Sequence, residues 1–377
     1  MKNILIIFGG KSVEHEISII TGVLALNSTD REKYNVIPAY IDKEGIWKTG
    51  EELYNIDTYK NIYDYKLTTI TLISGSRELY SFKNKKLKAI CEIDCVLNCC
   101  HGSLGENGSL SGLINLCNIA NASPDVCGSA VAMDKSISKL IAKALLIRTV
   151  PALKISRCDY QKRKRIADKY ITDNIKFPVI VKPSRLGSSI GISTAEDIES
   201  LEKAIAFAFL YDDIILVERL LKSKKEINCA AYWCGEEVIV SECEQPPLKS
   251  DFLTFEDKYL SGEKDGRKIP ADIDKKLSER IKLATKQIYK RLNLKGVVRM
   301  DFLIEGEDVY FNELNTVPGS LAYYLFCKDI KEMRGLIDNL LEEGIIQKEK
   351  ENGLLLEFSG DVLTKIAVNG GKCLKKR

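Results

Sequence analysis

Three apolar runs in this chain each break off into glycine. Asn3–Phe8 ends in Gly9-Gly10, Ile93–Asn98 runs on to His101-Gly102, and Phe177–Lys182 passes through Pro183 into the glycine- and serine-rich loop Ser184–Gly191. All three read as strands, and the first, Asn3–Phe8, as one buried on both faces, the pattern of a parallel sheet. Ser12 to Leu26 carries apolar residues at helical spacing, and Asn35–Ile41 reads as a second strand. Strands alternating with helices predict an open α/β sheet, in which ligands bind beyond the carboxyl ends of the strands. Gly9-Gly10 and His101-Gly102 both stand at such ends.

The rest of the chain continues the mixture. Leu67–Ile73 is the strand expected within the polar stretch 42–88. Leu113–Leu116 reads as helix, Ser123-Pro124 as a break, and Met133 to Leu146 as one strong helix. Ala195–Phe209 is helical and Ile214–Glu218 a strand. Glu226–Tyr232 and Glu237–Glu242 predict a hairpin turning at Gly235. Residues 246–270, with Pro246-Pro247, predict a long loop. Asp274–Leu292 is helical, and Gly296–Ile304 pairs with Asp308–Glu313 around Glu305-Gly306. Residues 345–377 read as a charged tail with a weaker helix or strand signal.

Composition removes several classes of chemistry. The 377 residues hold twelve cysteines and only two histidines, His15 and His101, so a zinc site built from several histidines is excluded. Small disulfide scaffolds carry more than ~8–10% cysteine, well above this chain, so the cysteines read as small core residues of a reduced, cytoplasmic protein. Neither a signal peptide nor an apolar stretch near the ~20 residues of a membrane span is expected. With 56 basic and 53 acidic residues the net charge is +3, too balanced for a nucleic-acid partner. The runs Lys162–Arg165 and Lys375–Arg377 read as a solvated helix face and a terminus. Cys91, Cys95, Cys99 and Cys100 lack a zinc-knuckle spacing; on a single strand the first three share one face and Cys100 takes the other.

Three clusters carry chemistry. In Lys182–Gly191 glycines admit backbone N–H groups to phosphate oxygens, serines add donors and Lys182 supplies charge. The lysine precedes the glycines, so this is no P-loop, and taken alone the segment reads equally as a phosphate cradle or a plain turn. Arg299-x-Asp301 and Glu313-x-Asn315 lie on two strands joined at Glu305-Gly306. If they pair, two carboxylates and an amide oxygen converge as hard ligands for Mg²⁺, beside a fixed cation for phosphoryl charge. An edge ion pair is the alternative, weakened by the apolar neighbours Val297-Val298 and Tyr310-Phe311. Finally, Gly9–Glu16 and His101–Gly108 each bring a histidine and a carboxylate near a helix N-terminus, a site suited to an amino acid. Within it His15 reads as a surface residue on a helix capped by Ser12 and Glu16.

In order, FGGKSVEHEIS, HGSLGENGSLSGL, AMDKSISK, VIVKPSRLGSSIGIS, FEDKYLSG, GVVRMDFLI and FNELNTVPGS resemble the D-alanine–D-alanine ligases of the ATP-grasp superfamily, from about residue 3 to 325. The resemblance implies an α/β chain with an ATP-grasp fold preceded by an open parallel α/β domain. Its units are a substrate domain at 1–123, ATP-grasp subdomains at 124–217 and 218–345, and a tail at 346–377. It implies the joining of two D-alanines through an acyl phosphate for peptidoglycan synthesis, with ATP as substrate, two Mg²⁺ ions (or Mn²⁺) and a homodimer.

Residue by residue, the resemblance makes Lys135 and Lys182 the phosphate lysines. Ser188 and Ser189 lie in the loop that closes over the phosphates. Glu218 is the adenine-side glutamate and Glu226 the ribose-binding one. Asp301, Glu313 and Asn315 become the metal ligands, and Arg299 the arginine that stabilises the transition state. Glu14 holds the first D-alanine's ammonium, His101 lies near a substrate carboxylate, and Gly319 joins the substrate site. Lys258 and Tyr259 form the loop that shuts the site, Tyr259 being linked to Ser188 and Glu14 and counted with Glu14, Ser188 and Arg299 as catalytic. Two positions depart from the family: Asn107 replaces a common acidic residue, and Tyr324 stands where a serine usually helps bind the second substrate's carboxylate. Tyr259 argues against a D-lactate acceptor, leaving D-serine as the alternative to D-alanine; a non-catalytic binding protein is the remote alternative.

Overall fold

The computed structural model describes residues 1–247, 266–355 and 360. Lys258, Tyr259 and most of the expected tail therefore lie outside the described residues.

The first sheet is built from β1 (Lys2–Gly9), β2 (Tyr34–Ile41), β3 (Trp47–Thr49), β4 (Thr68–Leu72), β5 (Glu78–Lys83), β6 (Lys86–Glu92), β7 (Cys95–Asn98) and β8 (Ala120–Asn121), in the order β6-β5-β4-β3-β2-β1-β7-β8. The strands β2, β1, β7 and β8 are parallel, and Ile4–Phe8 of β1 are fully buried. Helix α1 (His15–Ser28) returns the chain from β1 to β2. The sheet is mixed rather than wholly parallel: the polar stretch 42–88 supplies an antiparallel meander, β3 to β6, of which only β4 is expected from the sequence. Asn84 and Lys85, both at positive φ, close its last hairpin, as a tight two-residue turn requires.

This meander also separates the cysteines. Cys91 ends on β6 and Cys95 begins β7, with Ile93 and Asp94 between them, so no single strand carries all four. Cys95 and Cys99 pack on one face of the sheet and Cys100, with Cys91 against it, on the other. The described cysteines are all free thiols.

After α2 (Ser103–Glu106) and α3 (Ser109–Leu116), the expected helix Met133 to Leu146 is found as α5 (Lys135–Ala144), preceded by a separate α4 (Val126–Met133). Asp134 separates the two. Its backbone is extended, and its carboxylate accepts from Ser136 N at 2.9 Å and Ile137 N at 3.2 Å, capping α5. A second sheet, antiparallel, has the order β11-β10-β12-β9, from β9 (Ala152–Ser156), β10 (Val179–Pro183), β11 (Ser193–Ala195) and β12 (Ile214–Arg219). Helices α6 (Arg157–Tyr170) and α7 (Ile198–Ala208) accompany it; Lys162–Arg165 lie exposed on α6.

The third sheet is also antiparallel, in the order β14-β13-β15-β16, from β13 (Lys225–Cys234), β14 (Glu237–Val240), β15 (Val298–Glu305) and β16 (Asp308–Asn315). Helix α8 (Lys275–Arg291) packs on it. Helix α9 (Met333–Asn352) runs through residue 345, where the sequence suggests a tail, and its apolar face shares one core with α1, β1 and β7. Gly344 permits this: a Cβ there would stand 2.9 Å from the Ala122 backbone.

Candidate active site

A cavity of about 510 Å³ opens between the second and third sheets and the glycine-ended tips of the first. One wall is strand-borne. Counting back from the Glu305-Gly306 turn, strict pairing would oppose Asp301 to Asn312 and turn Glu313 to the other face. The strands do not pair so. A β-bulge after Asp301 changes the register: Phe302 opposes Phe311, but Asp301 opposes Glu313 and Arg299 opposes Asn315. The extra residue is Asn312, which puts Asn312 and Glu313 side by side in the cavity wall. The polar row continues across the sheet, because Asn228 opposes both Asp301 and Glu244.

Arg299 holds Asp301 through two parallel bonds, Nε to Oδ1 at 2.8 Å and Nη2 to Oδ2 at 2.9 Å, and Asn315 Nδ2 donates to the same carboxylate at 3.1 Å. Glu313 lies 3.2 Å from Lys135 Nζ. Lys182 Nζ pairs with Glu218 at 2.6 Å and donates to Asn312 Oδ1 at 3.2 Å. Lys139, one helical turn after Lys135 on α5, reaches Glu218 from the other side at 2.9 Å. Burial alone would raise the Glu218 carboxyl, but the two ammonium groups hold it below the usual carboxylate range. Lys139 pays for its position: burial pulls its ammonium down to about 8 against the pull of Glu218. Lys139 was not expected from the sequence, although i,i+4 spacing from Lys135 puts both on one helix face.

The other wall is loop-borne. Lys135 Nζ donates to Leu186 O at 2.7 Å, and Asp212 anchors the root of the loop by accepting from Arg185 N at 2.8 Å. Ser188 and Ser189 follow, both at positive φ. The Ser188 hydroxyl donates to the Glu14 carboxylate, tying the loop to the start of α1. Gly102 makes room for this carboxylate, since a Cβ there would meet Glu14 Oε2 at 2.5 Å. Glu106 is clipped between the His101-Gly102 tip and the turn after β16, accepting from Gly102 N at 2.7 Å and Val317 N at 3.2 Å. Burial and the neighbouring Glu14 charge push its carboxyl up to about 7.

The histidines differ from expectation in one case. His15 is not a surface residue: it is buried, with Nδ1 2.7 Å from Gly10 O and Nε2 3.1 Å from the Tyr40 hydroxyl, and it braces the Gly9-Gly10 turn. His101 is also buried, its Nε2 2.8 Å from Thr21 Oγ1. Burial, aided by Arg299, lowers it to about 4, so the ring is neutral at pH 7. Thr21 Oγ1 also accepts from Ser320 N at 3.0 Å. Ser320, Leu321 and Ala322 are successive left-handed residues in the turn Gly319–Leu325, which lines the end of the cavity.

The sequence-derived residues Glu14, Lys135, Lys182, Ser188, Ser189, Glu218, Glu226, Arg299, Asp301, Glu313, Asn315 and Gly319 all line this one cavity, and His101 sits behind it against Thr21. Asp301, Glu313 and Asn315 form an all-oxygen set suited to a hard divalent cation. Among the described residues no three His, Cys, Asp or Glu side chains converge as a metal cage, so phosphate oxygens would have to complete the shell.

Comparison with known proteins gives a consistent set of relatives. Residues 3–123 match the family profile "D-ala D-ala ligase N-terminus" and residues 141–345 match "D-ala D-ala ligase C-terminus". The D-alanine–D-alanine ligase of Thermosipho melanesiensis is 38% identical over 360 residues, 92% of this chain and 94% of that protein. That of Caldicellulosiruptor bescii is 35% identical, covering 95% and 99%. Among solved structures, the Helicobacter pylori D-alanine–D-alanine ligase superposes with a TM-score of 0.72 at 28% identity, over 91% of this chain and 98% of that one. The VanG D-Ala:D-Ser ligase of Enterococcus faecalis gives 0.77 at 27%, over 91% and 99%.

Proposed function

The chain belongs to the D-alanine–D-alanine ligase family, ATP-dependent enzymes with the ATP-grasp fold, and from that premise we propose how its own residues do the work. The reaction joins two D-alanines for peptidoglycan precursors. The first D-alanine's carboxylate attacks the γ-phosphorus of ATP and ADP leaves. The second D-alanine's neutral amine then attacks the acyl carbon, the C–O bond to phosphate breaks, and phosphate leaves as the nitrogen gives up one proton.

Lys135 and Lys182 bind the phosphates, exchanging their present partners Glu313 and Glu218 for phosphate oxygens. Glu218 and Glu226 take the adenine and ribose ends. Glu14 holds the donor's ammonium, with Ser188 fixing the carboxylate in place. Neutral His101 supports the donor end by hydrogen bonding rather than by charge. Arg299, already oriented by Asp301, meets the oxyanions that develop in both steps, where fixed charge in a water-poor site is worth most. Asp301, Glu313 and Asn315 fit Mg²⁺ or Mn²⁺, which would neutralise phosphate charge. Lys258 and Tyr259 complete the closing loop in this reading.

The observation that carries the reading is the polar row on the third sheet facing Lys135 and Lys182, with the Glu14–Ser188 bond opposite. We place the enzyme in the cytoplasm, with ATP, as a homodimer; sedimentation at micromolar concentration tests the dimer. The VanG likeness favours one second reading, a D-serine acceptor. Incubation with ATP and D-alanine alone, followed by mass analysis, distinguishes them: D-alanyl-D-alanine is expected, and a product formed only when D-serine is added would displace the D-alanine reading.

A further inference from the structure

One cation in the cavity wall stands apart from the nucleotide lysines. Arg267 lies beyond Glu244, at the opposite end of the polar row from Glu313 and Lys135. That row crosses three strand spacings, roughly 14 Å. Arg267 Nε sits 2.9 Å from Glu244 Oε1, and Glu244 is only 1% exposed, its other oxygen accepting from Asn228 Nδ2 at 3.0 Å. The guanidinium carbon lies 4.1 Å from the centre of the Tyr324 ring. Tyr324 in turn faces Arg299, which opposes the rise that burial causes in its hydroxyl. Arg267 is therefore clamped by its Nε edge and by one π face. Among the described residues, none of its partners takes the two Nη groups, the edge that matches a carboxylate in a two-bond fork. Its side chain is 45% exposed, so that edge is reachable.

We propose that Arg267, positioned by Glu244 and Tyr324, binds the α-carboxylate of the acceptor amino acid. The chemistry of the second step selects this partner. The acceptor's amine must be neutral and directed at the acyl phosphate, so it cannot also be the charged handle. The carboxylate is the handle that remains, and it requires a fixed cation on the far side of Arg299 from the nucleotide lysines. Arg267 is that cation. This assignment rests on the ligase reading above.

The test supplies D-alanine as donor and compares D-alanine with D-alaninamide as acceptor, the dipeptide and its amide being quantified by mass. For Arg267→Gln the acceptor KM is expected to rise roughly 10–100-fold, and the preference for acid over amide to fall by the same factor. The KM values for ATP and for the donor should stay within about twofold, which also reports an intact fold. Arg267→Lys, with charge but no fork, should lie between. An Arg267→Gln enzyme that keeps its acid-over-amide preference overturns the proposal, as does one whose ATP KM rises as much as its acceptor KM. A wild type that makes no D-alanyl-D-alanine overturns the proposed function instead; the acid-to-amide ratio of the amino acid it does accept then decides the role of Arg267.

Discussion

The strand-borne and loop-borne walls of the cavity hold their charges in different ways. On the third sheet Arg299 and Asn315 are fixed by register and by a neighbour on their own hairpin, both bonding to Asp301, while Asn312 and Glu313 meet Lys182 and Lys135 from other elements. On the loop side, groups are fixed by bonds between segments far apart in the chain: Ser188 to Glu14, Glu106 to Val317, Thr21 to Ser320. A strand wall persists without ligand because its ladder supports it. A loop wall depends on contacts between segments distant in the chain. The first suits electrostatic stabilisation, which needs fixed dipoles; the second suits enclosure, which needs parts able to separate.

Substitutions break this contrast in order of size. Asp301→Asn should lower kcat by roughly 10³-fold, because it releases Arg299 and removes a proposed metal ligand, while thermal unfolding shows the fold retained. A loss under tenfold would remove the strand wall from the chemistry. On the loop side, Ser188→Ala should act more mildly, raising the donor KM about tenfold and leaving the ATP KM nearly unchanged. An equal rise in both would show the loop serving the nucleotide alone.

Glu106 offers a pH test. Its folded pKa, about 7, exceeds the ordinary 4.5, so the folded state binds the extra proton. The stability it contributes is fully present below about 4.5 and is lost as pH rises through about 7. Chemical unfolding of the wild type between pH 5 and 8 should show this decline, and Glu106→Gln should flatten it. A variant with the wild-type slope would mean that another group titrates. The smallest effect is expected of Lys139→Met. Glu218 keeps Lys182 and so stays compensated, and burial already disfavours the Lys139 ammonium, so the melting temperature should move by only a few degrees. A collapse of the fold would show that Glu218 needs both cations.

The same contrast explains what could be read from the sequence. The alternation Arg299-x-Asp301 and Glu313-x-Asn315 picks out residues that share one cavity wall, but their convergence depends on the bulge. The bulge itself left a trace: Val309 and Phe311 are two apart, whereas Phe311 and Leu314 are three apart, so the buried face skips a residue at Asn312. On the loop side Glu14 and Ser188 stand in motifs readable by themselves, but their link came only through resemblance, since nothing local brings residues 14 and 188 together. His15 misled because a polar residue at a helix start is usually solvated; here Tyr40, on the neighbouring strand β2, roofs it over. The meander β3 to β6 was mostly missed because its strands are polar and partly exposed, and so lack an apolar stripe. Arg267 and Glu244 are brought together by the antiparallel bridge between their chain neighbours Lys268 and Gln245, which no apolar stripe announces.

The left-handed turn at Ser320–Ala322 has a consequence for inheritance. Three successive non-glycine residues in that conformation cost roughly 1–2 kcal/mol each. They are held there by Thr21 from the first domain and by the burial of Leu321 and Ala322 in the core that α1 and α9 share. The family profiles divide near residue 123, yet this core ignores the division. The N-terminal unit is thus no interchangeable cassette. A chimera that swapped it would have to bring a matching Thr21 and a matching apolar face, or the acceptor end of the pocket would unwind while the nucleotide end stayed whole.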